Sequence, residues 1–136
     1  MSQENVAVAR KLIQELADVR VECAATYLHP DAEWHNTRAF PGPMTVIGSD
    51  AIRDFWRDLF GAYGGERSST GMEVERVADA GEVVAILVHG WGRGRSSDIP
   101  IEARWAHVLE IQDSKILRID TYGSFDQALE AAGLPE

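Results

Sequence analysis

The sequence predicts an α+β fold in which helices cover one face of a curved, mostly antiparallel sheet. Helical periodicity dominates the first half of the chain. Strand after strand follows in the second half, and helices followed by consecutive strands are typical of α+β folds. The chain has 136 residues, of which 45% are hydrophobic, and this is enough apolar material for one core. We therefore expect a single domain over residues 1–136.

Two helical segments precede the first strand. Apolar residues in the first recur three and four positions apart, the spacing of an amphipathic helix: Val6, Ala9, Leu12, Ile13 and Leu16. A shorter helix over residues 21–28 should end before Pro30, because proline disfavours helical geometry in the residue that precedes it. Residues 29–31 are then expected to form a corner.

A strand, a loop and a third helix come next. Residues 32–37 alternate as a strand, with Trp34 and Asn36 on the same face. Residues 38–48 contain two prolines and two glycines, which predict an irregular segment suited to act as a lid. The third helix carries an apolar stripe at helical spacing: Ile52, Phe55, Trp56, Leu59 and Phe60.

The second half of the chain is interpreted as four strands and a closing helix. Short turns between consecutive strands indicate antiparallel pairing. The strands are expected over residues 72–78, 83–93, 99–111 and 116–122. In the closing helix, Ser124 and Gln127 have the spacing of a capping box, and Gly133 marks the end.

The strand over residues 99–111 carries an ionisable ring on its apolar face. Its alternation places Trp105 and His107 on one face and the charged Glu102 and Arg104 on the other. A buried imidazole needs either a hydrogen-bond partner or an opening onto a cavity. Because the ordinary pKa of histidine lies near neutral pH, His107 is the best candidate for a general acid or base.

The strand over residues 83–93 does not reveal its own orientation, because its first six residues are all apolar. If its even-numbered residues point inward, His89 and Trp91 lie on the outer face of the sheet, and we favour this orientation. An outer face that carries Leu87, Trp91 and Val108 would favour a homodimer through this face. The opposite orientation would add His89 and Trp91 to an interior pocket.

Composition and charge argue against several functional classes. The formal net charge of −9 disfavours nucleic-acid binding, which depends on clustered lysine and arginine. No apolar run is long enough to span a membrane and the N-terminus has no signal pattern, so we expect a cytoplasmic protein. Cys23 is the single cysteine, which excludes an internal disulfide. The four histidines show no pair at metal-ligand spacing, and we expect no metal site.

Several short motifs occur in a characteristic order along nearly the whole chain. They are His-Pro-Asp at 29–31, Glu-Trp-His at 33–35, Arg-Trp-Ala-His-Val at 104–108, Lys-Ile at 115–116 and Ala-Leu-Glu-Ala-Ala-Gly at 128–133. This order resembles the SnoaL-like polyketide cyclase domains of the nuclear transport factor 2 and ketosteroid isomerase superfamily. The resemblance implies a cone-shaped barrel, with N-terminal helices on the concave face of the sheet and an enclosed pocket, commonly in a homodimer. Since this fold hosts many reactions, the resemblance does not name one.

The resemblance also shows which groups of the ketosteroid isomerase site are missing. Its general-base aspartate falls at Asn36, and its helix-one tyrosine falls at or beside Leu12 and Ile13. Its second acid donor falls at His107 or at Ala106, depending on the length of one turn. That enzyme needs both an ionised base and a neutral acid donor. Steroid isomerisation in that form is therefore not expected.

The limonene epoxide hydrolases offer a second comparison. They pair a first-strand tyrosine and asparagine with an arginine and two aspartates, and here Trp34 and Asn36 stand at the first two positions. The last-strand position that should hold an aspartate is Thr121. The resemblance therefore does not predict epoxide hydrolysis either.

The residues that remain predict a pocket with apolar walls and few polar groups, as is usual for small-molecule sites. In such a pocket, His107 would act as acid or base and the amide of Asn36 would hold a carbonyl or enolate oxygen. The predicted substrate-binding residues are Trp34, Trp105, Thr121, Phe55 and Leu12. The expected reaction is cofactor-independent proton transfer on a hydrophobic carbonyl compound: isomerisation, aldol-type cyclisation or dehydration. The alternative is a non-catalytic binding module, in which His107 hydrogen-bonds to Asn36 or a backbone carbonyl and completes the core.

Overall fold

The computed structural model describes residues 2–18, 20–36, 45–63, 71–93 and 100–134. The helices in these segments are α1 (Ser2–Ala17), α2 (Val21–Ala25), α3 (Ser49–Tyr63) and α4 (Phe125–Ala132). The strands are β1 (Leu28–Asn36), β2 (Thr45–Ile47), β3 (Gly71–Asp79), β4 (Val83–Arg93), β5 (Pro100–Gln112) and β6 (Lys115–Tyr122). None of the helices in these segments is both long and apolar enough to cross a membrane.

The six strands form one curved sheet in the order β2-β1-β6-β5-β4-β3. Neighbouring strands are antiparallel, except that β1 and β6 run parallel. The sheet is not closed: β2 and β3 stand at its two edges. This arrangement confirms the α+β prediction with a mostly antiparallel sheet, and it is consistent with the cone-shaped fold that the resemblance implies.

Irregular register bends the sheet at three places. The pairing of β3 with β4 shifts between Val74 and Arg76, which leaves Glu75 as an extra residue. A second shift lies between Glu110 and Ile111 in β5, and a third lies in the first half of β1. Because an extra residue in one strand makes that strand bend and twist, these shifts help the sheet to curve around the helices.

The main core lies between the inner face of the sheet and the helices α1, α2 and α3. Leu12 of α1, Ile52 of α3 and Ile86 of β4 are among its fully buried side chains. Burying one such side chain stabilises the fold by roughly 1.5 to 3 kcal/mol. Val84, Ile86 and Val88 all belong to this core, so the even-numbered residues of β4 point inward. This confirms the favoured orientation of the strand and places His89 and Trp91 on the outer face.

A smaller core lies on the outer face of the sheet, beneath α4. Alanines at 85 and 106 let the helix approach the sheet closely, and Phe125 and Leu129 fill the space. The helix begins where the hydroxyl of Ser124 accepts a hydrogen bond from the Gln127 backbone N–H, and it ends at a left-handed Gly133, as the capping signals predict.

This helix changes the interpretation of the outer face. Leu87 and Val108 pack against the α4 core, so they are not the exposed patch that the sequence suggested. Trp91 alone of the three residues stays exposed, with 42% of its surface accessible. A partner protein on this face would therefore contact Trp91 and its surroundings.

The largest difference from the sequence-based prediction is at the start of β1. Leu28 was expected to end the second helix, but it pairs with Ile116 of β6, so the helix ends at Ala25. The His-Pro-Asp corner at residues 29–31 lies within the irregular part of β1. In addition, β2 was not predicted, because three residues are too few for a periodic pattern. The predicted lid is described only from residue 45 onward, and residues 38–44 lie outside the described segments.

Candidate functional site

Three polar side chains lie side by side on the inner face of the sheet. Asn36 of β1 is in register with Thr121 of β6, and Thr121 is in register with His107 of β5. The next position in this row is the apolar Ile86 of β4. Asn36 and Thr121 are buried, with 1% and 0% of their surfaces exposed, and His107 is partly buried. We call Asn36, Thr121 and His107 the polar row.

Two tryptophans complete a hydrogen-bond network around the polar row. Trp34 donates from its indole Nε1 to the Thr121 hydroxyl oxygen at 2.8 Å. The same oxygen lies 2.8 Å from Nδ1 of His107. On the other side of the imidazole, the indole Nε1 of Trp105 donates to Nε2 of His107 at 2.9 Å. The network thus joins β1, β6 and β5.

The chemistry of the indoles determines where the protons of this network lie. An indole N–H can only donate, so Nε2 of His107 must accept from Trp105. The neutral imidazole then carries its proton on Nδ1 and donates it to Thr121. The Thr121 oxygen accepts from both Trp34 and His107, so its own hydrogen points in a third direction.

Burial keeps the imidazole neutral. Removal from water disfavours the charged ring and lowers the pKa of His107 from its ordinary value of 6.5 to about 4. The hydrogen-bond partners described for this ring, Thr121 and Trp105, are uncharged and give no compensating attraction. His107 is therefore unprotonated near neutral pH.

Sequence reasoning missed one residue that shapes the site, Gly90 of β4. The Trp105 indole lies directly over it: a Cβ added at Gly90 would lie 2.4 Å from Cη2 and 2.7 Å from Cζ3 of that ring. Only glycine leaves room for the ring in this place. An isolated glycine within a strand often marks such a close approach, so the signal was present in the sequence.

The structure brings most of the predicted site residues together. Trp34 is 2% exposed and packs against Phe55 of α3, with ring centroids 4.6 Å apart and ring planes tilted by 34°. Leu12 is a fully buried member of the same core. Both nitrogens of His107 hydrogen-bond to Thr121 and Trp105, and not to Asn36 or a backbone carbonyl, the partners suggested by the sequence.

The outer face holds a separate charged cluster. Glu73, Glu75 and His89 each offer an atom that could bind a metal ion, and these atoms lie within 4.8 Å of one another. However, Glu75 already pairs with Arg104 at 2.7 Å, and His89 is hydrogen-bonded to Glu102 at 2.9 Å. A metal ion would have to displace a cation from Glu75, so we interpret the cluster as an ion-pair network.

The depressed pKa of His107 predicts a specific dependence of stability on pH. Between about pH 4 and pH 6.5 the unfolded chain binds this proton and the native chain does not, so stability falls as the pH is lowered through that window. The pKa difference corresponds to roughly 3 kcal/mol at most. Urea denaturation at several pH values should show that His107→Gln loses less stability than the wild type on acidification. His29→Gln is the control, and an unchanged difference between wild type and His107→Gln at every pH would contradict the prediction.

The Thr121 hydroxyl should be essential for stability. Replacement by valine keeps the shape but leaves the N–H groups of Trp34 and His107 without this acceptor, at a cost of roughly 1 to 3 kcal/mol for each buried donor. Thr121→Ser keeps the oxygen and loses only a methyl group, which costs about 1 kcal/mol. Free energies of unfolding from urea titration should therefore rank wild type, Thr121→Ser and Thr121→Val in that order. Equal losses in the two variants would show that the hydroxyl is not the important group.

Solved structures from several sources share this fold at low sequence identity. A candidate SnoaL-like polyketide cyclase from Jannaschia sp. CCS1 has a TM-score of 0.75 and 15% identity, over 99% of this chain and 95% of its own. A hypothetical protein with a ketosteroid isomerase-like fold from Catenulispora acidiphila DSM 44928, in complex with trimethylamine, has a TM-score of 0.73 and 17% identity, over 94% and 93%. TerC, co-crystallised with polyporic acid, has a TM-score of 0.73 and 17% identity, over 93% and 98%.

Sequence comparison gives the family directly. No curated protein sequence matches the chain significantly. The sequence model of the SnoaL-like domain matches residues 9–119, which is most of the chain and includes β1, β4 and β5 in full. This match and the shared fold lead to the same conclusion: the chain belongs to the SnoaL-like domain family.

Proposed function

We propose that this protein binds a small hydrophobic carbonyl compound between the sheet and its inner helices, and that His107 and Asn36 catalyse proton transfer on it. The observation that carries this proposal is the polar row. Three adjacent polar side chains on an otherwise apolar face cost free energy that an aliphatic core would avoid. Apolar walls with a few fixed polar groups are the usual composition of a small-molecule site.

The neutral imidazole suits the role of a base. Its Nε2 lone pair can accept a proton, while Nδ1–H keeps its hydrogen bond to Thr121 and holds the ring in place. On the far side of Thr121, the amide of Asn36 would donate to the oxygen of the enolate that forms. Trp34, Trp105, Phe55 and Leu12 would supply the apolar surroundings. The reaction class is proton abstraction next to a carbonyl, which serves isomerisation, aldol-type cyclisation or dehydration and needs no cofactor.

Two proteins of the same fold support a small-molecule role. The Catenulispora acidiphila protein was crystallised with trimethylamine and TerC with polyporic acid. These ligands were bound by those two proteins. At 17% sequence identity, the comparison shows only that this chain shares their fold. For this chain we propose that residues 1–136 act as one domain with a site between the sheet and its inner helices. The cytoplasmic location stays a prediction from the sequence.

The second candidate function is ligand binding without turnover. Two observations favour it, and the first is that both nitrogens of His107 are already hydrogen-bonded, which is what a structural histidine in a core would show. In addition, a base whose pKa is near 4 holds a proton weakly. The two functions therefore differ in whether a ligand can gain access to Nε2.

A deuterium-exchange experiment distinguishes the two functions without knowledge of the natural substrate. 2-Tetralone, a hydrophobic ketone with acidic α-hydrogens, is incubated with the protein in D2O, and loss of the α-hydrogen signal is followed by NMR. The catalytic proposal expects faster exchange with the wild type and with His29→Gln, and a loss of roughly 100- to 10,000-fold of that acceleration in His107→Gln. Quenching of tryptophan fluorescence measures binding in parallel. Binding without accelerated exchange would favour the binding module, and acceleration retained in His107→Gln would exclude His107 as the base.

We further propose that the protein forms a homodimer through the outer face of the sheet. Trp91 is exposed there, and a large exposed aromatic side chain is typical of an interface. Beside it, Arg104 pairs with Glu75 and Glu102, so the same surface carries both signs of charge. In a two-fold interface each surface patch meets a copy of itself, and a patch that carries both signs of charge can form ion pairs with its copy.

The dimer has a matched control within the chain. Trp91 and Ile47 are the two exposed large hydrophobic residues of the described segments, and they lie towards opposite edges of the sheet. Trp91→Glu should weaken dimerisation by roughly tenfold or more, as expected for a central aromatic residue, while Ile47→Glu should not. Light scattering after size exclusion over a range of concentrations measures the dissociation. A wild type that is monomeric throughout, or equal effects of both substitutions, would overturn this proposal.

A further inference from the structure

Trp105 covers the nitrogen of His107 that the proposed reaction needs. The indole Nε1 of Trp105 lies 2.9 Å from Nε2 of His107 and donates its hydrogen to it. The planes of the two rings are nearly perpendicular, at 77°. Because Nδ1 carries the proton of the neutral ring, Nε2 is the only ring nitrogen with an in-plane lone pair, and the indole N–H donates to it. The indole therefore occupies the position from which a proton would arrive.

Protonation of His107 is incompatible with this contact. A histidine that has accepted a proton carries hydrogen on both nitrogens. Nε2–H and the indole N–H would then point at each other, and neither could accept. A proton can reach Nε2 only when the Trp105 indole has turned away.

We propose that Trp105 is a positioning residue that holds His107 as the Nδ1–H tautomer and leaves Nε2 when a ligand enters, and that Gly90 provides the space in which the indole rests. The inference deepens the proposed function and relies on it for the assignment of His107 as the base.

Displacement of the Trp105 indole restricts the chemistry of the ligand. Displacing the indole breaks one hydrogen bond and leaves a donor on Trp105 and an acceptor on His107, and both need new partners. The ligand must therefore offer an acidic hydrogen to Nε2 and, next to it, an oxygen that accepts from the indole. A carbonyl with an acidic α-hydrogen has this arrangement. The proton moves from carbon to Nε2, the C–H electron pair becomes the enolate, and the freed indole N–H donates to the enolate oxygen.

The chain contains a matched pair of contacts for testing the role of Gly90. On the inner face the Trp105 ring lies over Gly90, and on the outer face the Trp91 ring lies over Gly71. A Cβ added at Gly71 would lie 2.5 Å and 2.7 Å from atoms of the Trp91 ring, almost the same approach as at Gly90. Trp91→Phe and Gly71→Ala are therefore equivalent substitutions away from His107.

The experiment measures the tautomer of His107 in ligand-free protein. Imidazole 15N chemical shifts distinguish a nitrogen that carries hydrogen from one that does not, and they are recorded near pH 7.5. The wild type should show hydrogen predominantly on Nδ1. Trp105→Phe keeps an aromatic ring over Gly90 but removes the donor, so the ratio of Nδ1–H to Nε2–H tautomer should fall roughly 2- to 12-fold, the worth of one hydrogen bond. Gly90→Ala should shift the ratio in the same direction, and the two outer-face variants should not.

The tautomer experiment and the deuterium-exchange experiment can fail independently of each other. An Nε2–H tautomer in the wild type, or an unchanged ratio in both Trp105→Phe and Gly90→Ala, would overturn the role of Trp105. If the wild type does not accelerate exchange of the α-hydrogens of 2-tetralone, the catalytic proposal is wrong, but the conclusion about the tautomer is unaffected. If Gly90→Ala does not fold, Trp105→Phe decides the matter, because it needs no additional space.

Discussion

The hydroxyl oxygen of Thr121 is the acceptor on which the interior of this protein depends. It receives hydrogen bonds from Trp34 in β1 and His107 in β5, so one atom joins three adjacent strands on a face that is otherwise mostly apolar. An unsatisfied buried donor costs more free energy than a satisfied one contributes, so each member of the network requires the others. Apolar neighbours such as Ile86 are less constrained, since cores accept exchanges of similar volume.

The same network gives His107 its chemical character. The Trp105 indole can only donate, which leaves the neutral ring a single proton arrangement with hydrogen on Nδ1, and burial holds the pKa of His107 well below its ordinary value. A neutral, oriented imidazole beside apolar side chains is prepared to accept a proton, yet it is equally a satisfied member of a core. The contact between Trp105 and Nε2 of His107 distinguishes these two roles. A catalytic base requires the contact to open, whereas a structural histidine requires it to persist.

Elements with a long repeated pattern or a clear capping signal could be predicted from the sequence. The apolar stripe of α1, the alternation of β5 and the Ser124 cap of α4 each act within a few residues, and each element formed as expected. The incorrect predictions concern residues whose structure depends on contacts with distant parts of the chain. Leu28 reads as helical in its own segment, but Ile116 offers it a strand to pair with, and tertiary pairing overrides local preference. Likewise, Leu87 and Val108 look unpartnered until α4 covers them.

The sequence by itself determined the fold class, the inward direction of His107 and the set of side chains that share its face, because strand periodicity fixes which face each residue occupies. It could not determine what His107 touches. That depends on the register of β5 against β6, which brings Thr121 level with the imidazole, and on a glycine in β4 that gives Trp105 room to reach Nε2. Register and ring packing arise between strands that are separate in the chain, so only the tertiary structure decided the tautomer, the pKa and the cover on the candidate base.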